Sequence, residues 1–277
     1  MNEIMTQLGI NVNLTYILVF GSLIWVRMLT IISVVPFLFG KPVPKKVTVG
    51  ASMVLSAFAY KYLITSQMPP ITEDIILLSM LYLKEAFVGV LIGFGAALIF
   101  YGFEAAGAMI DNQRGMSIAR ILIPELGTQG SLMGNFLFQL AIVIYLTVGG
   151  HHLFFSAIYG SYDLIPIFEF PNVVPGLMSL MDFFIQLSGQ IIVLSIKIAA
   201  PVIISILVAD IILGITNRVA PQINVWELGF NVKGYIGVLA IFWAITMVVD
   251  QIQHYCVGSS SFVGQIIDML RGVSTGS

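Results

Sequence analysis

Residues 75–103 read IILLSMLYLKEAFVGVLIGFGAALIFYGF, and this stretch decides the fold class of the chain. Its only charged residues are the adjacent Lys84 and Glu85. The run exceeds the roughly 20 apolar residues that a helix needs to cross a bilayer. It is too long and continuous for a strand, and it lacks the alternation of barrel strands. The stretch therefore predicts a membrane-spanning α-helix.

Further apolar segments extend this prediction to the whole chain. They cover residues 14–39, 47–65, 132–150, 177–213 and 234–249. We predict an all-α, polytopic membrane protein with about six hydrophobic helical segments. Pro36, Pro201 and charges within the segments interrupt several of them, so kinked or broken helices are expected, and 177–213 is one kinked helix or two short ones. We expect a single membrane domain over 1–277, with an N-terminal part (1–176), a C-terminal helical hairpin (177–250) and a short tail (251–277).

Composition agrees with this class. Hydrophobic residues make up 58% of the 277 residues and charged residues 9%, against about 25% charged in soluble domains. The apolar surplus must therefore face lipid or other subunits. The net charge of -2 is spread over scattered residues, without the basic stripe that neutralises phosphates, so nucleic acid is excluded as a partner.

Enzyme and metal chemistry find no support in the sequence. It has no His-Glu-x-x-His, no Gly-x-Ser-x-Gly, no P-loop and no dinucleotide glycine motif. His151 and His152 are adjacent and point about 100° apart on a helix, with no further metal ligand nearby. We predict no enzymatic activity, no cofactor and no metal site. The N-terminus lacks the basic region of a cleaved signal peptide, so the first apolar segment is expected to be retained.

Basic residues occur in alternate connections between the segments. One set of connections contains Lys41, Lys45, Lys46, Arg114, Arg120, Arg218 and Lys233. The other set contains Glu73, Asp74, Asp163 and Glu169. Short loops rich in Lys and Arg stay in the cytoplasm. With six crossings, this asymmetry predicts that both termini lie outside the cytoplasm.

A cysteine at Val43 tests this orientation, because the position lies in the lysine-rich first connection. In a background from which Cys256 has been removed, we expect Val43→Cys to be shielded from a membrane-impermeant thiol reagent in intact cells. Lysis should restore labelling and serves as the control. Ready labelling of intact cells would reverse the predicted topology.

Small residues and charges inside the segments indicate contacts. Gly89, Gly93 and Ala97 recur every four residues and predict a close helix contact, within the chain or with a neighbouring subunit. Charged residues within the segments cost a few kcal/mol each unless they are paired or hydrated. They are Arg27, Lys84, Glu85, Asp182, Lys197 and Asp210. Ion pairing between helices or subunits and a transporter-like ion relay both fit. The halves lack the matching broken helices of an inverted-repeat transporter, which favours pairing.

Residues 104–124, EAAGAMIDNQRGMSIARILIP, form the least regular stretch between the third and fourth segments. It combines small residues, opposed charges and a terminal proline over a length that a simple turn does not need. We interpret it as a hairpin connection. The residues alone leave a solvated loop and a re-entrant, cavity-lining loop equally open.

Three ordered blocks of sequence resemble the SctT/FliR family of type III export-apparatus proteins. The first is Ala106 to Gly115 followed by Pro124. The second contains Ala200-Pro201, Ala209 to Gly214 and Asn217 to Val225. The third, near the N-terminus, is Arg27 with Pro36-Phe37 and Val43-Pro44. Residues 131–135, Gly149-Gly150 and Ser161-Tyr162 with Pro166 look more like the injectisome branch than the flagellar branch. Ile123 departs from the family pattern.

This resemblance implies a core subunit of the export gate in the bacterial inner membrane. The expected partners are membrane subunits of the SctR, SctS and SctU types, membrane lipid, and unfolded secreted proteins in transit through the pore. A flagellar export gate is the alternative, and a small-molecule or ion secondary transporter is the more distant one. The assembly candidates are Arg27, Pro36, Gly89, Gly93, Pro201, Asp210, Gly214, Arg218, Pro221, Gln222 and Asn224.

In that family, the region matching residues 107–124 forms a plug-like loop in the closed channel. The corresponding plug candidates are Gly107, Met109, Ile110, Asp111, Gln113, Arg114, Gly115, Met116 and Pro124. Gly107 and Gly115 can adopt backbone conformations closed to other residues, and Pro124 fixes the far end, so a shaped loop is expected. Asp111 and Arg114 are expected to fasten the loop by an ion pair that must break when the pore opens. Asp210 and Arg218 lie two helical turns apart, so each is expected to have a partner elsewhere.

Overall fold

The computed structural model describes residues 14–38, 43–63, 74–116, 130–170 and 173–270, and all of its regular structure there is helical. The predicted all-α class is therefore confirmed for this part of the chain. The helices are α1 (Leu14–Val34), α2 (Lys45–Leu63), α3 (Ile75–Gln113), α4 (Leu132–Thr147), α5 (Gly150–Leu164), α6 (Val173–Val219) and α7 (Val225–Leu270).

Four of these helices contain stretches long and apolar enough to cross a membrane, which confirms a polytopic membrane protein. The stretches are Tyr16–Val34, Ile75–Gln113, Leu180–Val219 and Val225–Tyr255. The pair α4 and α5 would add a fifth span if counted together. The expected second span, α2, does not qualify, because it begins at Lys45-Lys46 and has Lys61 in its last turn. The orientation of the termini, which counted six crossings, stays a prediction.

Three helices run further than the sequence pattern indicated. Helix α3 continues past Phe103 to Gln113, so the first half of the expected hairpin is helical, because Ala, Met and Glu residues there compensate for Gly107. Helix α7 continues through the expected tail to Leu270. Helix α6 is one long helix with Pro201 inside it, rather than two short ones. The Ser205 hydroxyl donates to the Pro201 carbonyl at 2.8 Å.

The described residues form two compact units. The first combines residues up to Ala97, His152–Phe183 and residues from Ser260 onward. Its core includes the fully buried Leu23, Met28 and Val88. The second combines Leu98–His151 and Phe184–Ser259. Its core includes Phe103, Ala141, Leu194 and Ile206, and Phe100 meets Tyr145 edge to face with ring centroids 5.3 Å apart.

Helix α3 packs closely on α1 in the first unit. A Cβ atom at Gly89 would overlap the Thr30 side chain and lie 2.8 Å from the Arg27 carbonyl oxygen. A Cβ atom at Gly93 would lie 3.1 Å from the Ile31 carbonyl oxygen. Ala97 is fully buried. The expected close helix contact is confirmed for Gly89 and Gly93, and their partner is a helix of the same chain.

Long faces of α6 and α7 remain uncovered. On α6 they include Ile185, Ile192, Ile196, Leu207 and Ile211, and on α7 Leu239, Phe242 and Trp243. Trp243 is 83% exposed. An apolar surface of this extent is suited to lipid or to other subunits rather than to water.

Candidate functional site

A buried ion cluster joins α1 to α3 in the first unit. The Arg27 guanidinium donates to both carboxylate oxygens of Glu85, from Nε at 2.5 Å and from Nη2 at 3.0 Å. Lys84 Nζ lies 2.7 Å from Glu85 Oε1. Arg27 and Glu85 are wholly buried. Such a two-pronged contact is among the strongest hydrogen-bonded ion pairs in proteins.

The same two cations cap the carboxyl end of α5. Arg27 donates to the carbonyl oxygens of Ser161 at 3.0 Å and Ile165 at 2.9 Å. Helix α5 has no basic residue in its own last turn. The last carbonyls of a helix carry the negative end of its dipole and commonly lack partners, although that of Ser161 also accepts from the Ile165 N–H at 2.9 Å. Arg27 therefore supplies from α1 the positive charge that this helix end lacks.

Lys84 holds the turn that follows α5. Its ammonium donates to the carbonyl oxygens of Pro166 at 2.8 Å, Ile167 at 2.7 Å and Glu169 at 3.1 Å. With Glu85, this gives the ammonium four acceptors for its three N–H groups. The side chain is consequently tied to backbone oxygens and cannot swing away without leaving several of them unpaired.

The charges of the ion cluster are balanced, and the hydrogen-bond donors of Arg27 all have acceptors. Two cations face one carboxylate, and the helix-end carbonyls offset the remaining positive charge. Arg27 Nη1 also donates to the Ser161 hydroxyl at 3.2 Å, so every N–H of the guanidinium has an acceptor. The Tyr162 ring centroid lies 4.3 Å from Arg27 Cζ, close enough for a cation–π contact. Ion pairing between helices is thus confirmed for Arg27 and Glu85, whereas the carboxylate that pairs with Lys84 belongs to its own helix.

In the second unit, Asp111 links the end of α3 to the start of α4. Its fully buried carboxylate accepts from the Ser131 hydroxyl at 2.7 Å and the Met133 backbone N–H at 3.1 Å. Ser131 is the N-cap of α4 and accepts from the Gly134 N–H at 2.8 Å. An anion at this position satisfies free N–H groups and complements the positive helix end. The two stems that flank residues 117–129 are therefore tied together.

The two glycines of the expected plug have different structural roles. Gly107 is helical and does not use the conformational freedom that a glycine offers. It is needed for space, because a Cβ atom would overlap the backbone of Met133. Gly115 has φ of 86° directly after α3, the left-handed conformation that ends helices and favours glycine. A Cβ atom there would also lie 2.9 Å from the Phe230 ring.

Arg114 fastens the same region to α7. Its Nη1 lies 3.3 Å from Asp111 Oδ1, which confirms the expected ion pair. Its Nη2 donates to the Gly234 carbonyl at 3.4 Å. A Cβ atom at Gly237 would lie 2.7 Å from Arg114 Cδ, so the absence of a side chain at Gly237 leaves room for the arginine. The contacts of Ser131, Phe230 and Gly237 were not predicted from the sequence, because they depend on distant segments.

The other plug candidates take varied positions. Ile110 is buried, Met109 and Met116 are partly buried, and Gln113 is exposed. Pro124 lies outside the described residues. Ile110 therefore belongs to the core of the second unit.

The hairpin of α6 and α7 carries a second ion pair. Asp210 Oδ1 lies 2.5 Å from Lys233 Nζ. This confirms that the partner of Asp210 comes from another helix. Lys233 was expected in a loop, but it lies within α7. Its proximity to Asp210 follows from their nearly equal distances from the turn between the two helices.

Three of the remaining assembly candidates, Pro221, Gln222 and Asn224, lie in the turn between these helices. Pro221 and Gln222 are exposed. Gly214 and Arg218 lie on α6 and are exposed as well. Asn224 precedes α7, and its Oδ1 accepts from the Glu227 N–H at 3.4 Å, as an N-cap does. Pro36 is buried directly after α1, where a proline is compatible with a helix end.

Comparison with known proteins places these features in a family. Residues 18–259 match the model of "Bacterial export proteins, family 1". The chain is 30% identical over 212 residues to flagellar biosynthetic protein FliR of Bacillus subtilis, covering 76% of this chain and 80% of the relative. It is 34% identical over 189 residues to Yop proteins translocation protein T of Yersinia pestis, covering 68% and 72%. It is 36% identical over 160 residues to surface presentation of antigens protein SpaR of Salmonella typhimurium, covering 57% and 58%. The chain belongs to the bacterial export proteins, family 1.

Proposed function

We propose that this protein is a core subunit of a type III secretion export gate in the bacterial inner membrane. The match to the bacterial export family over residues 18–259 carries this proposal. The subunit contributes to a pore through which unfolded protein substrates pass. Its partners are membrane subunits of the SctR, SctS and SctU types. The exposed apolar faces of α6 and α7 support this role, because they offer surfaces to neighbouring subunits.

The region from Gly107 to Pro124 closes the pore at rest in this proposal. Its fixed base is the end of α3, where Asp111, Arg114 and Gly115 are attached to α4 and α7. Opening then takes place beyond Gly115, while the Asp111 link keeps the stems together. This refines the initial expectation that the Asp111–Arg114 pair itself breaks.

We infer that the subunit belongs to an injectisome, because several of its sequence blocks resemble that branch of the family. A flagellar gate is the second candidate, because the FliR relative covers 76% of this chain. Deleting the gene and complementing it separates the two. Loss of effector secretion with normal motility supports the injectisome, and the reverse result supports the flagellum.

Co-purification tests the gate role against a solitary carrier. We expect good recovery of the detergent-extracted chain only when the SctR- and SctS-type subunits are co-expressed. Equal recovery of a stable chain without them would contradict the proposal.

Replacement of Asp210 tests the contribution of the hairpin to assembly. Asp210→Ala leaves the Lys233 ammonium without the carboxylate that lies 2.5 Å away. For a partly exposed pair we expect a loss of about 1 kcal/mol, or roughly fivefold less recovered complex. Asp182→Ala, which removes an exposed carboxylate from the same helix, is the control. Unchanged assembly and secretion in Asp210→Ala would reduce Asp210 to a tolerated polar residue.

A further inference from the structure

Helix α6 has three distinct faces between Ile185 and Ile198 in the second unit. The buried face consists of Leu187, Ile191, Leu194 and Ile198. A second face is open and apolar, and it consists of Ile185, Ile192 and Ile196, which are 66%, 57% and 50% exposed. The third face, called the polar face below, is also open, and it consists of Gln186, Gln190 and Lys197.

The two open faces lie at the same level of the helix and point in different directions. At about 100° per residue, the three residues of the polar face fall within about 40° of one another. The three isoleucines do so as well, and the centres of the two groups are about 120° apart. Val193, 49% exposed, borders the polar face. This part of α6 therefore meets two different surroundings at once.

The polar face requires water or polar groups around it. The side chains of Lys197 and of both glutamines form no hydrogen bond or ion pair with the part of the chain that the structure describes. They nevertheless lie in the apolar stretch Leu180–Val219. An unpaired charge or amide is costly in apolar surroundings, whereas the isoleucine face suits lipid or a neighbouring subunit. Helix α6 therefore lies at a boundary between apolar surroundings and water.

In an export gate, the water beside such a helix is the water of the passage. We propose that Gln186, Gln190 and Lys197 line this passage and contact the unfolded polypeptide in transit. The inference rests on the proposed function and assigns one surface of the chain to the substrate. The three isoleucines are left for neighbouring subunits, in agreement with that function.

The side chains of the polar face suit a partner without a fixed sequence. An unfolded chain presents its backbone N–H and C=O groups, whatever its side chains are. Each glutamine amide both donates and accepts, and the Lys197 ammonium donates. These groups can therefore exchange hydrogen bonds with any extended polypeptide and with water. Apart from the bordering Val193, the face carries no apolar group that would hold one substrate segment firmly.

Cysteine labelling of the detergent-extracted, co-purified complex tests the assignment. In a background without Cys256, Gln190→Cys is treated with a hydrophilic thiol reagent before and after a secretion substrate is stalled in the complex. The probe is a substrate of the same system fused to a stably folded domain that cannot enter the passage. We expect Gln190→Cys to be labelled in the empty complex and to lose most of its labelling when the substrate is stalled.

Ile192→Cys is the matched control, because Ile192 lies two residues further along the same helix on the open apolar face. A cysteine there should stay unlabelled with and without substrate, because a subunit or detergent covers it. If Gln190→Cys does not assemble, Gln186→Cys takes its place.

Labelling of Gln190→Cys that the stalled substrate does not change would overturn the proposal, and so would an absence of labelling in the empty complex. The first result assigns the polar face to bulk water, and the second assigns it to a neighbouring subunit. Failure of the proposed function is distinguishable, because the chain would then co-purify with no SctR- or SctS-type subunit and would hold no stalled substrate.

Discussion

Replacing Arg27 by methionine is expected to remove most of the folded protein from the membrane. The change leaves the buried Glu85 carboxylate without its two-pronged partner and removes the Arg27 donors from the carbonyls of Ser161 and Ile165. Breaking one side of a buried pair costs about 3–5 kcal/mol when the remaining charge has no other partner, and less here because Lys84 stays 2.7 Å from Glu85. Whole domains are stable by only about 5–15 kcal/mol. The loss is therefore large enough to unfold a substantial part of the population.

Recovery from detergent-extracted membranes and the temperature of aggregation measure this effect on the co-expressed complex. Lys61→Met is the control, because it removes an exposed cation from the last turn of α2. Arg27→Lys should give an intermediate result, since an ammonium lacks the planar fork of a guanidinium.

A double-mutant cycle separates the pair from a general packing defect. Arg27→Met combined with Glu85→Leu removes both opposite charges and should cost less than the sum of the single changes. Lys84 then still holds the turn carbonyls. Full recovery of Arg27→Met, or strict additivity in the cycle, would contradict the role assigned to this cluster.

The second large effect is expected at Asp111. Asp111→Asn keeps the shape of the side chain but removes the charge that accepts from Ser131, Met133 and Arg114. Losing charge-assisted hydrogen bonds costs about 2 kcal/mol, so the base of the plug detaches from the start of α4 roughly 30-fold more often. If the link holds the base of the plug, the variant complex assembles but leaks.

Leak is measured as dissipation of an ion gradient in vesicles that contain the complex. Deleting Asn112 to Gly115, which removes the Arg114 contact to α7 as well, should leak at least as much. Gln113→Ala, at an exposed neighbouring position, should stay tight. Variants that assemble, stay tight and secrete normally would make this region a simple connector.

Several of these features were predictable from the sequence because they are local or periodic. The apolar run with Lys84 and Glu85 predicted a spanning helix, and the spacing of Gly89 and Gly93 predicted a close helix contact. Paired buried charges followed from the cost of leaving them alone. The prediction that Arg27 forms an ion pair with a residue of another helix was therefore correct.

Other features could not be predicted because they depend on backbone groups or on distant segments. The acceptors around Lys84 are main-chain carbonyls of residues 166, 167 and 169, which no side-chain pattern reveals. Gly107 suggested a turn, whereas in the fold it makes room for the backbone of Met133. Lys233 suggested a loop charge, and only the hairpin geometry brings it to Asp210.

The contacts between Arg27 and the end of α5 can form only late in synthesis of the chain. Glu85 follows Arg27 by 58 residues along the chain, and the Ile165 carbonyl follows it by 138. At about 5–20 residues per second, a ribosome needs on the order of 10 s to synthesise that interval. During this time the Arg27 guanidinium on α1 lacks some of the hydrogen-bond acceptors that it has in the folded protein. Burying this guanidinium in lipid before the late turn is synthesised is therefore less favourable than burying it afterwards.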